Sequence, residues 1–343
     1  MTRPLALSIL DVSPVHAGAT PADALANTVD LAQRAERLGF HRYWLAEHHN
    51  TEGIASSVPE VMIAQVANAT STIRVGSGGV MLPNHSPLKV VETFRVLETL
   101  HPGRIDLGIG RAPGTDMVTA LALRRSRTAL AADDFPQQLA ELLAFFYGTF
   151  PDDHPFRTIT PVPAGAAVPP IYLLGSSEFS GQVAAQTGLG FAFARHISPG
   201  PAAHVLSSYR DEFRPSAAFP EPSGIMATSV LVAETDERAE ELAASLDLMW
   251  LRIGQGTRGP AATLEEARAY VYTPAEENQR QLNRNRSVIG SPASVAAQLE
   301  VLADECDVDE IMALTVAHDH TTRVRSYELL AEAVALIPSA RPT

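Results

Sequence analysis

Trp44-Leu45-Ala46-Glu47-His48-His49-Asn50 runs an apolar segment straight into a carboxylate and two adjacent histidines. The apolar residues up to Ala46 read as a buried strand, and the polar residues after it as the loop that follows. If that strand belongs to a β/α barrel, the loop lies at the carboxyl-terminal mouth, where barrel enzymes keep their chemistry. Glu47, His48 and His49 alone leave two readings open: hydrogen-bonded loop residues, or a reacting group with its neighbours. Their spacing is not that of a metal motif. What the other strands end in decides between the two.

Outward from this stretch, short apolar runs alternate with helix-length amphipathic segments along the chain of 343 residues. Strands are expected at 5–10, 43–46, 73–76, 105–109, 171–174, 191–194, 226–233 and 310–316. Helices are expected at 21–38, 59–69, from 87, at 135–147, 177–186 and 202–213, from 236, and at 293–304 and 323–337. Pro21, Pro59 and Pro87 suit first helical turns, and Gly39 suits a helix end. Eight strands alternating with helices close most simply as an α/β (β/α)8 TIM barrel, one domain over 1–343. Two stretches break the rhythm. Residues 151–170 carry six prolines and no periodicity, and 253–291 is too long for an ordinary loop. The second is expected to form a lid inserted after strand seven. Its Arg280, Arg284 and Arg286 fit either a solvated face or a lid that orders over an anionic ligand.

Composition narrows the function classes. Hydrophobic content of 45% and a mean hydropathy of +0.02 describe a globular chain, and no apolar run is long enough for a bilayer. The apolar run after Pro4 is too short for a secretory signal, so a cytoplasmic location is expected. Cys306, the single cysteine, excludes an internal disulfide framework and a thiolate metal cluster. A net charge of -13 argues against nucleic acid or an anionic membrane as partner. An anionic ligand therefore needs local arginines.

The strand ends supply them. Strand three runs into Ser77-Gly78-Gly79, strand four into Gly110-Arg111, strand five into Gly175-Ser176-Ser177, strand six into Arg195-His196 and strand eight into His318-Asp319-His320. Gly175-Ser176-Ser177 before a helix is a phosphate cradle or a simple helix cap. Arg111 and Arg127 are the guanidinium groups that favour the cradle. Gly78-Gly79 is either a turn or a close backbone approach to a flat ligand. His318 and His320 with His48 are a weaker alternative, a barrel metallohydrolase. No Gly-x-Gly-x-x-Gly nucleotide fingerprint opens a βαβ unit, because Pro113 stands where the third glycine belongs.

Taken in order, Trp44-Leu45-Ala46-Glu47-His48-His49-Asn50, Val75-Gly76-Ser77-Gly78-Gly79-Val80-Met81-Leu82-Pro83, His101-Pro102-Gly103-Arg104-Ile105-Asp106-Leu107-Gly108-Ile109-Gly110-Arg111 and Leu173-Leu174-Gly175-Ser176-Ser177 closely resemble the bacterial luciferase-like flavin-dependent monooxygenases. Ala112-Pro113-Gly114 is similar to the short single-chain members. The resemblance implies reduced FMN across the barrel mouth, its phosphate held by Arg111, Arg127, Ser176, Ser177 and Ser180. It further implies a non-proline cis peptide at Gly78-Gly79 beneath the flavin ring, His48 as acid/base group, Glu47 as its orienter, His49 as support, and Arg195 by the ring. The implied reaction joins FMNH2 and O2 as a flavin C4a-peroxide that inserts one oxygen atom into a small organic substrate. A separate NAD(P)H:flavin reductase is implied as the source of FMNH2, and a homodimer as the assembly. Gly110 stands where luciferase has a cysteine and Arg195 where it has a tryptophan, so light emission from an aldehyde is not expected. An F420-dependent oxidoreductase or a non-catalytic flavin-binding relative are the alternatives on the same barrel.

Overall fold

The computed structural model describes residues 5–128, 134–257 and 259–336. Ten strands form one sheet: β1 (Ala6–Asp11), β2 (Arg42–Leu45), β3 (Arg74–Ser77), β4 (Val80–Met81), β5 (Ile105–Gly110), β6 (Ile171–Gly175), β7 (Gly190–Ala194), β8 (Gly224–Val232), β9 (Ser287–Gly290) and β10 (Glu310–Leu314). Eight of them close a parallel barrel in the order β10-β1-β2-β3-β5-β6-β7-β8, with β8 returning to β10. This is the (β/α)8 barrel expected from the sequence.

Two short strands lie off the ring. β4 pairs with the far end of β5, Val80 opposite Ile109, and so prolongs the line of β3 past Gly78 and Gly79. β9 pairs with the upper half of β8, Ser229 to Val232, beyond the stretch Gly224 to Ala227 that pairs with β7. Both are too short to show a hydrophobic period in sequence.

Alternation along each strand sorts the side chains. Leu7, Ile9, Tyr43, Leu45, Leu107 and Ile109 point outward into the layer beneath the helices, packed with Leu31, Phe94, Leu142 and Leu330. Leu10, Trp44, Tyr172, Ala192, Ala227 and Met312 occupy the barrel interior. Helix starts follow the chain's local chemistry. Thr20 and Asp23 make a capping box before Pro21, and Gly39 ends that helix at a φ of 88°.

The lower interior holds a buried ion cluster. Arg42 grips Glu310 through Nε at 2.7 Å and Nη2 at 2.9 Å, and Asp106 through Nη1 at 2.9 Å. Asp106 also accepts from Arg74 and from the Trp44 indole at 3.0 Å, and Ser8 donates to Glu310. The arginines and hydrogen bonds hold the Asp106 carboxyl below its ordinary range against the opposing effect of burial.

Residues 253–291 are folded, with helices Leu264–Ala269 and Pro274–Arg284 and then β9. Arg280 and Arg284 both bind Asp247 of helix Asp236–Gly254, at 3.0 and 2.8 Å, with Glu277 and Glu240 beside them. Arg286 donates to the carbonyls of His196 and Ile197. These arginines are engaged by groups of the protein itself, with Arg280 and Arg284 still partly exposed on a polar helix. The sequence did carry one signal for this segment: Thr273-Pro274-Ala275-Glu276 is a capping box with proline in the first turn. Among the described residues no helix is long and apolar enough to cross a membrane.

Replacing Asp106 with Ala removes the carboxylate shared by Arg42 and Arg74, leaving Arg42 Nη1 without its partner, and is expected to cost about 3–5 kcal/mol. The urea unfolding midpoint of Asp106→Ala against the parent measures it, with unchanged slope as the control.

Candidate active site

Above the ion cluster the barrel is hollow. A cavity of about 910 Å³ opens at the carboxyl-terminal ends of the strands. It lies at the upper end of the range of ligand sites, about 300–1,000 Å³, which leaves room for a cofactor and a substrate together. Its deep wall is apolar, with Leu10, Trp44, Ala192, Met312 and Leu314, and Met249 and Trp250 come from the helix that precedes the 253–291 segment.

Gly78 and Gly79 form one side of this cavity, and the peptide bond between them is cis. Backbone packing demands glycine at Gly79, and a side chain at Gly78 would have to displace the tip of Leu10. A Cβ on Gly78 would stand 2.6 Å from Leu10 Cδ1, and one on Gly79 would stand 2.7 Å from the Gly108 carbonyl oxygen. Ser77 does not line the cavity. Its buried hydroxyl donates to Gly108 O at 2.8 Å and accepts from Gly108 N at 2.9 Å, pinning β3 to β5.

Gly175, Ser176, Ser177 and Ser180 line the same cavity with Arg111, at the ends of the next strands along the ring, β5 and β6. Ser180 packs onto Gly175 so closely that a Cβ there would meet its Oγ at 2.3 Å. Ser177 sits at the N-cap of helix Glu178–Thr187, yet its hydroxyl makes no capping bond. That removes the simple capping explanation for the serine. The Arg111 guanidinium stacks 4.7 Å over the Phe179 ring, and no carboxylate among the described residues pairs with it. A helix N-terminus, unspent serine hydroxyls and an unpaired guanidinium together fit a phosphate group. Arg127 is exposed and does not line the cavity.

Glu47 is fully buried beneath the histidine loop. Its carboxylate accepts from His49 Nε2 at 2.9 Å, from His85 Nε2 at 3.0 Å and from Met81 N at 2.9 Å. Burial opposes its ionisation, but the His85 and His49 hydrogen bonds prevail and hold its pKa below the ordinary 4.5. His85 moves the other way: burial opposes its charge, and Glu47, with Glu60 nearby, lifts its pKa above 6.5. Only His48 of the His48-His49 pair lines the cavity. Burial, assisted by His49 and opposed by Glu47, pushes its pKa below 6.5, and its Nδ1 is buried without a partner. His48 is thus a neutral imidazole at the cavity wall, while His49 is spent on Glu47.

The remaining strand ends separate. Arg195 does not line the cavity: its guanidinium donates to Thr228 Oγ1 at 3.0 Å, and its neighbour His196 lines the wall in its place. His318 pairs with Asp319 and His320 with Asp30. Among the described residues no three His, Cys, Asp or Glu side chains are grouped to hold a metal ion.

The Luciferase-like monooxygenase family matches residues 6–307. The chain belongs to that family. It is 41% identical to a luciferase-like monooxygenase of Escherichia coli (strain K12), covering 95% of this chain and 96% of that protein. The N-acetyl-S-alkylcysteine monooxygenase of Bacillus subtilis (strain 168) is 37% identical, with 96% and 98% covered. The crystal structure of apo-MsnO8 superposes with a TM-score of 0.90 at 38% identity, over 99% of this chain and 100% of that one. Within this luciferase-like site, His85, His196 and Trp250 were not singled out by sequence reasoning. His196 was visible as a strand-end residue, but the larger charge of Arg195 drew the assignment.

The Glu47–His85 pair has a pH signature. Its full contribution to stability is present between pH 4.5 and 6.5, the ordinary values of the two groups. It is lost below that window as Glu47 protonates at its lowered pKa, and above it as His85 deprotonates at its raised one. The Tm gap between the protein and His85→Gln is expected to be widest inside this window and to narrow on both sides.

Proposed function

We propose that this chain is a reduced-FMN- and O2-dependent monooxygenase of a small organic substrate, its flavin supplied by a separate NAD(P)H:flavin reductase. The observation that carries the reading is that the Arg111–Ser176–Ser177 cradle and the Gly78-Gly79 backbone line one cavity from neighbouring strand ends. The cradle suits a phosphate, and the side-chain-free backbone beside it suits a flat ring system. Bound reduced FMN supplies the two electrons with which O2 is divided between substrate and water.

The protein's own part is to bind, orient and exclude water. Arg111, Ser176, Ser177 and Ser180 hold the phosphate. His48, kept neutral by burial, accepts a proton or a hydrogen bond at the cavity wall instead of donating from an imidazolium. Glu47 fixes the loop that carries it, with His49 and His85 as its donors. The apolar lining from Trp44, Met249 and Met312 keeps the interior dry. The absence of a nicotinamide fingerprint in the sequence supports an external source of reduced flavin.

Fold neighbours below 25% identity carry either cofactor type. One, the oxygenating constituent of 3,6-diketocamphane monooxygenase from Pseudomonas putida, was solved with FMN (18% identity, TM-score 0.70), and an F420-dependent secondary alcohol dehydrogenase was solved with an F420-acetone adduct (14%, 0.66). The fold therefore does not choose between them, and titration does. FMN is expected to bind and F420 is not. Arg111→Ala is expected to weaken FMN binding by about 1.5–3 kcal/mol, the worth of a charged hydrogen bond, read by fluorescence quenching. Unchanged affinity removes Arg111 from the phosphate site.

His48→Ala is expected to leave FMN affinity within about twofold, since a loss below 0.5 kcal/mol is that of a residue making no strong contact. Product formed per reduced FMN consumed, with a reductase supplied, is expected to fall, with hydrogen peroxide making up the difference. Intact coupling in this variant removes the proton-accepting role of His48.

A further inference from the structure

His196 stands at the end of β7 in the cavity wall, apart from the phosphate cradle and from the Glu47 cluster. Its backbone N and its ring Nδ1 both approach the Ala227 carbonyl oxygen at 3.2 Å. A carbonyl oxygen only accepts, so Nδ1 carries the ring proton. In a neutral imidazole that leaves the lone pair on Nε2. Nε2 has no protein partner among the described residues and is not among the buried unpaired atoms, so the cavity is what it faces.

The ring is held through Nδ1, and its backbone is held separately. Ala227 lies on β8 inside the barrel, and its carbonyl sets the tautomer. Arg286 Nη1 donates to the backbone carbonyls of His196, at 3.2 Å, and Ile197. The same guanidinium lies 5.3 Å over the ring of Trp250, which also lines the cavity. Arg286 thus joins the segment 253–291 to the β7 loop behind His196. His196 spends Nδ1 and offers Nε2.

We propose that His196 is a hydrogen-bond acceptor for the bound molecule, distinct from His48, with its Nε2 receiving an N–H or O–H donor of that molecule. The inference rests on the reading of this cavity as the reaction site and adds a selection rule to it. The molecule that occupies this wall carries a neutral donor, such as a hydroxyl or an amide N–H, beside an otherwise apolar body. His196 is then a specificity-determining residue, and Arg286 is the positioning residue behind it. The titratable groups that act on His196 are consistent with this. Burial pushes its pKa down to about 4, the Ala227 bond opposes the shift, and His48 and Arg286 add to it. It does not become a proton donor near neutrality.

The test uses the whole protein with 15N-labelled histidine and long-range proton–nitrogen correlation. The chain has 11 histidines, so His196 is assigned from the signal lost in His196→Gln or, if that variant folds poorly, His196→Asn. The expected pattern is a protonated Nδ1 and an unprotonated Nε2 that persist from pH 8 to pH 6. Phenol, a neutral O–H donor, is expected to shift Nε2, whereas anisole, its methyl ether, is not. In His196→Phe the affinity for phenol is expected to fall up to about tenfold, the net worth of one hydrogen bond, with anisole unchanged. FMN added alone identifies the source of the donor. A Nε2 shift with FMN but not with phenol supports the acceptor and assigns its donor to the flavin edge. A proton on Nε2, an imidazolium near neutrality, equal responses to phenol and anisole, or no response to phenol and FMN overturns the proposal. None of these readouts needs turnover. Failure of the oxygenase reading therefore leaves them intact, and their failure leaves FMN binding to Arg111 untouched.

Discussion

The Arg42 guanidinium, clamped between Asp106 and Glu310, divides this barrel into a solid half and a hollow half. Charges at the bottom of a barrel are costly to desolvate, and they are tolerated because every one is paired and hydrogen-bonded. The cluster bridges β2, β5 and β10, strands far apart in sequence, so it also joins the ring across its interior. Above it Trp44 lays its indole over the charges, donating to Asp106 and meeting Tyr172 edge-on at 5.2 Å. The large side chains are used up at this level. Small residues, Gly78, Gly110, Ala192 and Ala227, are among those that line the cavity above this level.

The mouth is organised by a second buried carboxylate that works differently. Glu47 closes no ring of strands. It collects donors from three places in the chain, the loop after β2, β4 and the turn that carries His85. Met81 N is one of those donors, so the same carboxylate that anchors the histidine loop also fixes the backbone just beyond Gly78 and Gly79. The wall beside the cis peptide and the wall bearing His48 are therefore one mechanical unit. His49 and His85 are structural members of it, and His48 is its chemical face.

Much of this was legible in the sequence, and the exceptions share a cause. The barrel helices announce themselves because each has one apolar face, and the barrel strands because burial on both faces leaves short, nearly unbroken apolar runs. Helix Pro274–Arg284 has almost no apolar residue and is stabilised by ion pairs to Asp247, so no hydrophobic period exists to be read. Glu47, His48, Gly78, Arg111 and Ser176 were legible because strand ends in a barrel converge on one mouth whatever their order in the chain. Direction at a strand end is harder. Arg195 and His196 are adjacent, and alternation sends one out to Thr228 and the other in to the cavity. A shift of one residue reverses that assignment, and charge alone says nothing about which of the two faces inward. His85 lay beyond sequence reasoning for another reason, since its importance comes from a partner 38 residues away.

Charge at the mouth follows from the same economy. The chain as a whole is strongly acidic, at -13, which on its own would repel an anionic cofactor. The acidic groups near the cavity are neutralised locally: Glu47 by its histidines, Glu266 by Arg252 at 2.6 Å, Asp247 by Arg280 and Arg284. Arg111 has no such partner among the described residues, and a positive charge beside a helix N-terminus is felt strongly in a cavity with apolar walls. Because the two wall histidines, His48 and His196, are kept neutral by burial, they do not compete with Arg111 for the anion. The cavity is thereby divided by charge, with the Arg111 guanidinium at one part of its wall and uncharged imidazoles at another.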